Sequence, residues 1–199
     1  MFYEAHQHHG LAHDPFKAIV APRPIGWIST LDGEGRPNLA PYSFFNGVCD
    51  DPKILMFASG GMKDSAQNAL DTGEFTFNFV SRHLKDAMNV SSASFERGEN
   101  EFEKAGLEMV EGRTVACPRV KGVAAAMECK TLSVQRLKDL DGNDAPYSIV
   151  LGQVTGTFIS DDMVTESGRF DTMKADPILR AGYHDYVCLD ELFELVRPG

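Results

Sequence analysis

The clearest periodicity in the chain lies in residues 74–81, where Phe75, Phe77 and Phe79 alternate with Thr76 and Asn78. A side-chain period of two puts the rings on one face and the polar pair on the other, which predicts a strand. Residues 23–31 are rich in Ile, Trp and Thr and run into Asp32-Gly33-Glu34-Gly35. They read as a strand and a tight turn, with residues 38–45 as the returning strand. Residues 53–58 form a short apolar strand ended by Gly60-Gly61. Residues 124–137 and 147–160 read as long strands on either side of the Asp141-Gly142-Asn143-Asp144 turn, the second bent at Gly152 or Gly156. The tail, residues 183–196, reads as a strand followed by an acidic and apolar stretch.

Helical patterns are fewer. Asp64 stands as an N-cap with Gln67 three residues on, a capping box; Ala66, Ala69 and Leu70 share a face, and Gly73 follows as the closing glycine. Residues 84–90 predict a short helix and residues 102–105 a single turn. That turn lies within residues 91–112, which are otherwise polar, charged and irregular, a length that favours a lid or interface arm. About six strands, two or three helices and no β-α-β alternation predict a mainly β fold, an antiparallel barrel with peripheral helices.

Composition changes this picture little. The chain has 199 residues, 43% hydrophobic and 24% charged, which suits one soluble domain over residues 1–199, with a core at 16–198 and an extension at 1–15. No apolar run approaches the roughly 18 residues of a membrane span, and residues 1–16 lack the apolar stretch of a secretory signal. Cys49, Cys117, Cys129 and Cys188 have no C-x-x-C spacing and suit reduced thiols in a cytoplasmic protein. A net charge of -10 argues against a broad nucleic-acid surface, although a local anion site needs only a few aimed N–H groups and nearby positive charge.

Candidate chemistry is sparse. Lys63-Asp64-Ser65 directly before a helix can be a phosphate cradle, but from these residues alone it reads better as an ordinary capped helix with a surface lysine. Asp64 is better explained as the cap than as a phosphate contact. Pro41-Tyr42-Ser43-Phe44-Phe45-Asn46 supplies aromatic walls with a polar edge, which suits a planar heterocycle or a core strand with a polar end. His6, His8, His9 and His13 have no matching carboxylate or cysteine pattern, so a metal is not expected, and His184 beside Asp185 is weak evidence for acid–base work. An EF-hand beginning at Asp139 would need Gly and Glu where Asp144 and Val150 stand. No P-loop, G-x-S-x-G or G-x-G-x-x-G is present.

Several segments taken in order carry more. Pro22-Arg23-Pro24-Ile25-Gly26-Trp27-Ile28-Ser29-Thr30, Gly35-Arg36-Pro37-Asn38-Leu39-Ala40-Pro41-Tyr42-Ser43-Phe44-Phe45, and Lys63-Asp64-Ser65 with Asn68 come first. Thr72-Gly73-Glu74-Phe75 with Asn78, Met88-Asn89, Glu101-Phe102, Pro118-Arg119-Val120 and Pro177-Ile178-Leu179-Arg180 follow. Together, over about residues 16–198, they resemble the flavin reductase-like, FMN-binding split-barrel family. The resemblance implies an antiparallel, Greek-key-like split β-barrel and an FMN held by a homodimer. It places the phosphate near Lys63 and Ser65, helped by Thr30, and the isoalloxazine beside Ser43, Phe44, Asn46 and Gly47. Ser29 and Asn78, in the matched blocks, join the implied cofactor-binding set. Where many relatives place a serine or threonine, this chain has Gly47-Val48-Cys49, leaving backbone N–H groups to meet the ring edge.

The activity implied is an NAD(P)H-dependent flavin reductase, with hydride passing from the nicotinamide of NADH or NADPH to flavin N5 and no catalytic side chain required. The expected partner is a monooxygenase or another redox protein. The alternative is a flavoredoxin-like FMN electron carrier with little nicotinamide turnover; a relative that applies the flavin to an organic substrate is a third reading.

Overall fold

The structure, a computed structural model, describes residues 1–96 and 98–199; Arg97, within the polar segment 91–112, lies outside the described residues. In chain order the elements are α1 (Phe16–Ile19), β1 (Gly26–Leu31), β2 (Pro37–Tyr42), β3 (Phe45–Asp50), β4 (Lys53–Gly60), α2 (Asp64–Thr72) and β5 (Glu74–Asn78). Then come α3 (Lys85–Val90), α4 (Glu101–Lys104), β6 (Met109–Val110), β7 (Arg119–Val120), β8 (Ala125–Lys138), β9 (Asp144–Ile159), α5 (Thr172–Ala175), β10 (Ile178–Arg180) and β11 (Tyr186–Cys188).

Seven strands make one antiparallel sheet in the order β2-β1-β5-β8-β9-β4-β3, and β6-β7 and β10-β11 form two small ribbons. The mainly β, antiparallel expectation holds. The sheet curls but does not close, because its edges β2 and β3 are not hydrogen-bonded to each other. Residues 43 and 44 are the corner between those edges, so the chain crosses the split there.

Both faces of the sheet are covered. Trp27, Leu39, Phe102 and Val120 anchor one core; Ile28, Phe57, Phe75 and Val150 anchor the other, closed by α2. Adjacent Trp27 and Ile28 pointing into different cores is the period of two expected of β1. The two glycines of β9 stand where its register against β8 shifts: Gly156 pairs with Glu128 just before the break, and Gly152 pairs with Thr131 just before another. Such bulges bend a strand and raise its twist, as the sequence predicts.

Several expectations need correcting. The helix begins at Asp64 with Lys63 as its extended N-cap, so Asp64 is the first helical residue and no capping box forms. A carboxylate in the first turn is still favoured by the helix dipole, and Gln67 instead donates to Asp71 at 2.7 Å. Ala66 and Ala69 are fully buried, but Leu70 is 53% exposed; the small alanines let α2 lie close on the sheet, and Ser65 and Asn68 take the remaining buried positions. Gly73 does close the helix, in the left-handed conformation.

The returning strand predicted at 38–45 stops at Tyr42, and β3 is a separate edge strand that begins at Phe45. It has no alternating burial to betray it, being exposed from Asn46 onward. Two residues of the polar segment 91–112 are anchored: Ser91 Oγ accepts the indole N–H of Trp27 at 2.9 Å, and Phe102 is fully buried. No helix among the described residues is long and apolar enough to cross a membrane.

Candidate functional site

The amino end of α2 opens onto β2. Residues 38, 40 and 42 share one face of β2, and Asn38 and Tyr42 from that face, with Lys63, Ser65, Ser92 and Glu101, border a cavity of about 270 Å³. The first intrahelical bond is Gln67 N–H to Lys63 C=O, at 2.9 Å. The N–H groups before it have no carbonyl within the helix to meet, and the helix dipole makes that end partially positive. Lys63 adds a full charge there, and its side chain does not cap the helix.

The cavity floor is a hydrogen-bonded polar cluster. Asn38 lies 2.8 Å from Ser65 Oγ. With its amide nitrogen toward Glu101 at 3.3 Å, its oxygen accepts from both Leu39 N–H and the Ser65 hydroxyl. Asn68 donates to Thr30 Oγ1 at 3.0 Å, which joins α2 to β1. Glu101 accepts from Leu39 N–H at 3.0 Å. Burial pushes its carboxyl above the usual carboxylate range, and the nearby charges of Asp64 and Glu99 push the same way. Burial likewise raises the Tyr42 phenol.

The structure divides the residues expected to bind a cofactor. Lys63 and Ser65 meet at the cavity. Thr30 is fully buried behind them and accepts from the Asn68 amide of α2. Ser29 and Asn78 lie away from the cavity. Asn78 donates to Trp27 C=O at 3.1 Å and accepts from Val120 N–H at 2.8 Å, and Ser29 donates to Pro118 C=O at 2.5 Å. All their partners lie inside the protein, where they hold the loop before β7 to β1 and β5.

Ser43, Phe44 and Asn46 sit at the split, on an apolar groove of about 670 Å³ with Phe16, Met56 and Tyr147. Gly47 is exposed, and its N–H meets the Asn46 side chain at 2.9 Å. Ser43 also lines a second cavity of about 380 Å³, which shares Pro41 and Ser92 with the first. Sequence reasoning missed Asn38 and Glu101 as cavity residues; the period of two along β2, counted back from Tyr42, was the available signal for Asn38.

Among the described residues no cluster of His, Cys, Asp and Glu is arranged to hold a metal ion. Cys117 and Cys129 are buried, which pushes each thiol up to about 12 and leaves neither as a ready nucleophile. The arrangement suits binding an anion at a helix terminus beside an aromatic wall.

A sequence model described as a flavin reductase like domain matches residues 20–174. The uncharacterized protein YwrF of Bacillus subtilis (strain 168) is 33% identical over 197 residues, covering 94% of this chain and 95% of its own. The nitrilotriacetate monooxygenase component B of Bacillus cereus superposes with a TM-score of 0.88 at 27% identity, covering 98% of both chains. A flavin reductase with a split barrel domain from Shewanella frigidimarina NCIMB 400, described as putative, superposes with a TM-score of 0.82 at 22% identity, covering 92% of this chain and 90% of that one.

Proposed function

The chain belongs to the flavin reductase like domain family, and from that membership we propose that it binds FMN and works as an NAD(P)H-dependent flavin reductase. The observation that carries the reading is the cavity at the amino end of α2, where Lys63 and Ser65 meet the Tyr42 wall and the strand runs on to Ser43 at the split. A phosphate fits that helix end, because the open N–H groups and the Lys63 ammonium favour a dianion. Thr30 serves from behind, fixing α2 through Asn68, while Ser29 and Asn78 hold the strands beneath. An isoalloxazine fits at Ser43, Phe44, Asn46 and Gly47, with apolar surface on one side and polar side chains at the edge.

FMN, when bound, supplies the two-electron chemistry, and NADH or NADPH is its donor. The chain's share is to bind, orient and exclude water. No side chain has to move a proton, in keeping with the buried, protonated state of Cys117 and Cys129. The apolar groove at the split fits a second copy of the chain, which makes a homodimer the working form. The likeness to a monooxygenase component supports delivery of reduced flavin to a partner oxygenase.

Equilibrium binding of FMN and riboflavin, followed by anaerobic titration with NADH and NADPH, tests the reading. FMN is expected to bind more tightly than riboflavin, and one of the nicotinamides is expected to bleach the flavin within turnover time. Equal flavin affinities would remove the phosphate site. Tight FMN binding without nicotinamide oxidation would favour an electron carrier over a reductase.

A further inference from the structure

The second cavity, of about 380 Å³, is bordered by Lys17, Arg23, Arg180 and His184 together with Asn89 and Ser92, and among the described residues no Asp or Glu lines it. Arg23 and Arg180 are direct partners across an isolated antiparallel bridge, each N–H meeting the other's C=O at 2.9 and 2.8 Å. Like charges placed directly opposite destabilise a strand pair. Among the described residues neither arginine makes an ion pair, nor does Lys17. Carboxylates are not scarce, since the chain has 29 Asp and Glu against 19 Lys and Arg.

Both guanidiniums are held in place. Arg23 is 6% exposed; its Nη1 donates to the carbonyls of Lys17 and Val20 and its Nη2 to Ala181 C=O at 3.0 Å. Its Nε is buried without a partner. Arg180 donates to Tyr183 C=O and rests 4.5 Å from the centre of the Tyr186 ring. Carbonyl dipoles orient these groups but do not neutralise them. Burial, and then the charge of Arg180, hold the Arg23 guanidinium below its ordinary value. A local arrangement that opposes folding in this way marks a site kept for a ligand.

We propose that this cavity is an oxyanion subsite in which Arg180, Lys17 and Arg23 hold a carboxylate or phosphate of the small molecule that exchanges electrons with the flavin. The proposal rests on the FMN reading, because the cavity adjoins the α2 cavity through Pro41 and Ser92 and reaches Ser43 at the split. It extends that reading by giving the substrate a charge and the charge a place. The Arg180 guanidinium supplies a planar fork that suits a carboxylate or a phosphate, and Arg23, whose Nη groups are taken by backbone carbonyls, adds positive charge beside it.

Isothermal titration with benzoate and with benzamide, its uncharged analogue of the same shape, reads the subsite without turnover, in FMN-loaded and FMN-free protein. The parent protein is expected to prefer benzoate. Arg180→Gln is expected to weaken benzoate by roughly tenfold, the scale of a lost charge-assisted contact, and to leave benzamide unchanged. Lys17→Gln, at an exposed position, repeats the test if Arg180→Gln melts early. Anaerobic reduction by NADH and by 1-benzyl-1,4-dihydronicotinamide, which carries no phosphate, then finds the source. A raised dissociation constant for NADH alone assigns the subsite to the donor's phosphates. Weakened benzoate with both donors unaffected assigns it to a carboxylate on the acceptor. Equal loss of benzoate and benzamide, or no benzoate preference in the parent, overturns the proposal. So does an equal loss of FMN affinity in Arg180→Gln, which would give the cavity to the flavin itself. Failure of the parent protein to bind FMN would sink the flavin reading instead, and the titration of FMN-free protein separates the two.

Discussion

At the scale of single residues, the α2 end carries one cation that favours a phosphate, Lys63, and two carboxyls that oppose it, Asp64 and Glu101. Lys63→Ala removes the cation. A charge-assisted contact contributes about 1.5–3 kcal/mol, so the FMN dissociation constant is expected to rise roughly tenfold to a hundredfold. Riboflavin affinity should hardly move, and the melting temperature of the flavin-free protein should stay nearly constant, since Lys63 is exposed. Equal weakening of both flavins would make Lys63 structural. Glu101 acts in the other direction. Burial raises its carboxyl above the ordinary range, so its protonated form stabilises the fold at low pH, and that contribution is lost as the pH rises through the raised value. Ionised Glu101 also repels a phosphate. FMN affinity is therefore expected to fall as the pH climbs through that range, after correction for the phosphate's own ionisation measured in the variant. Glu101→Gln should flatten the fall and improve FMN binding at neutral pH by about threefold, the size of a partly screened like-charge contact. Identical pH profiles for parent and variant would count against it.

At the scale of elements, what could be read from the chain depended on whether burial left a period in the sequence. β5 was legible because Phe75, Phe77 and Phe79 alternate with Thr76 and Asn78, and β8 and β9 were legible from their length and from the turn between them. β3 was not, because an exposed edge strand has no apolar face to announce it. The N-terminus of α2 was misplaced by one residue for a similar reason: Asp64 suits both the cap and the first turn, and only the backbone of Lys63 decides between them. The candidate site was half legible. Lys63 and Ser65 follow from a helix start, but Glu101 and Arg180 come from distant segments, and only the fold brings them near β2 and β1. Gly152 was readable as a bend, yet its packing role was not. A Cβ there would lie 2.2 Å from the Phe75 ring, which is fully buried. Gly152→Ala is expected to destabilise the protein by about 1–3 kcal/mol, the cost of overpacking a core, in chemical unfolding. An unchanged midpoint would mean that the ring shifts freely.

At the scale of the whole molecule, the open sheet leaves an apolar surface that one chain does not cover. Phe16 and Ile19 of α1 are 57% and 73% exposed, and Leu137 of β8 is 36% exposed, all three on the groove at the split. An isolated monomer gains nothing from this surface, whereas a second copy would remove it from water at about 25 cal/mol for each Å² buried. The homodimer we propose follows from that and can be separated from folding. Ile19→Glu and Leu137→Glu each put a charge on side chains already open to solvent, so a monomer should tolerate them with stability changes within about 0.5 kcal/mol. Across an apolar interface the same charge would be left unpaired, with a cost of several kcal/mol. Sedimentation velocity at micromolar concentration is therefore expected to show a dimer for the parent chain and a monomer for the double variant, with the circular dichroism spectrum retained. The variant also tells where the flavin is completed. If FMN affinity falls together with dimerisation, residues of the second copy belong to the site, and Phe44 and Asn46 at the split are where they would meet it. If the monomer keeps full FMN affinity, one chain suffices, and the α2 cavity with its neighbour holds the whole cofactor. A parent chain that sediments as a monomer would remove the homodimer from the proposal and leave the groove open to the redox partner.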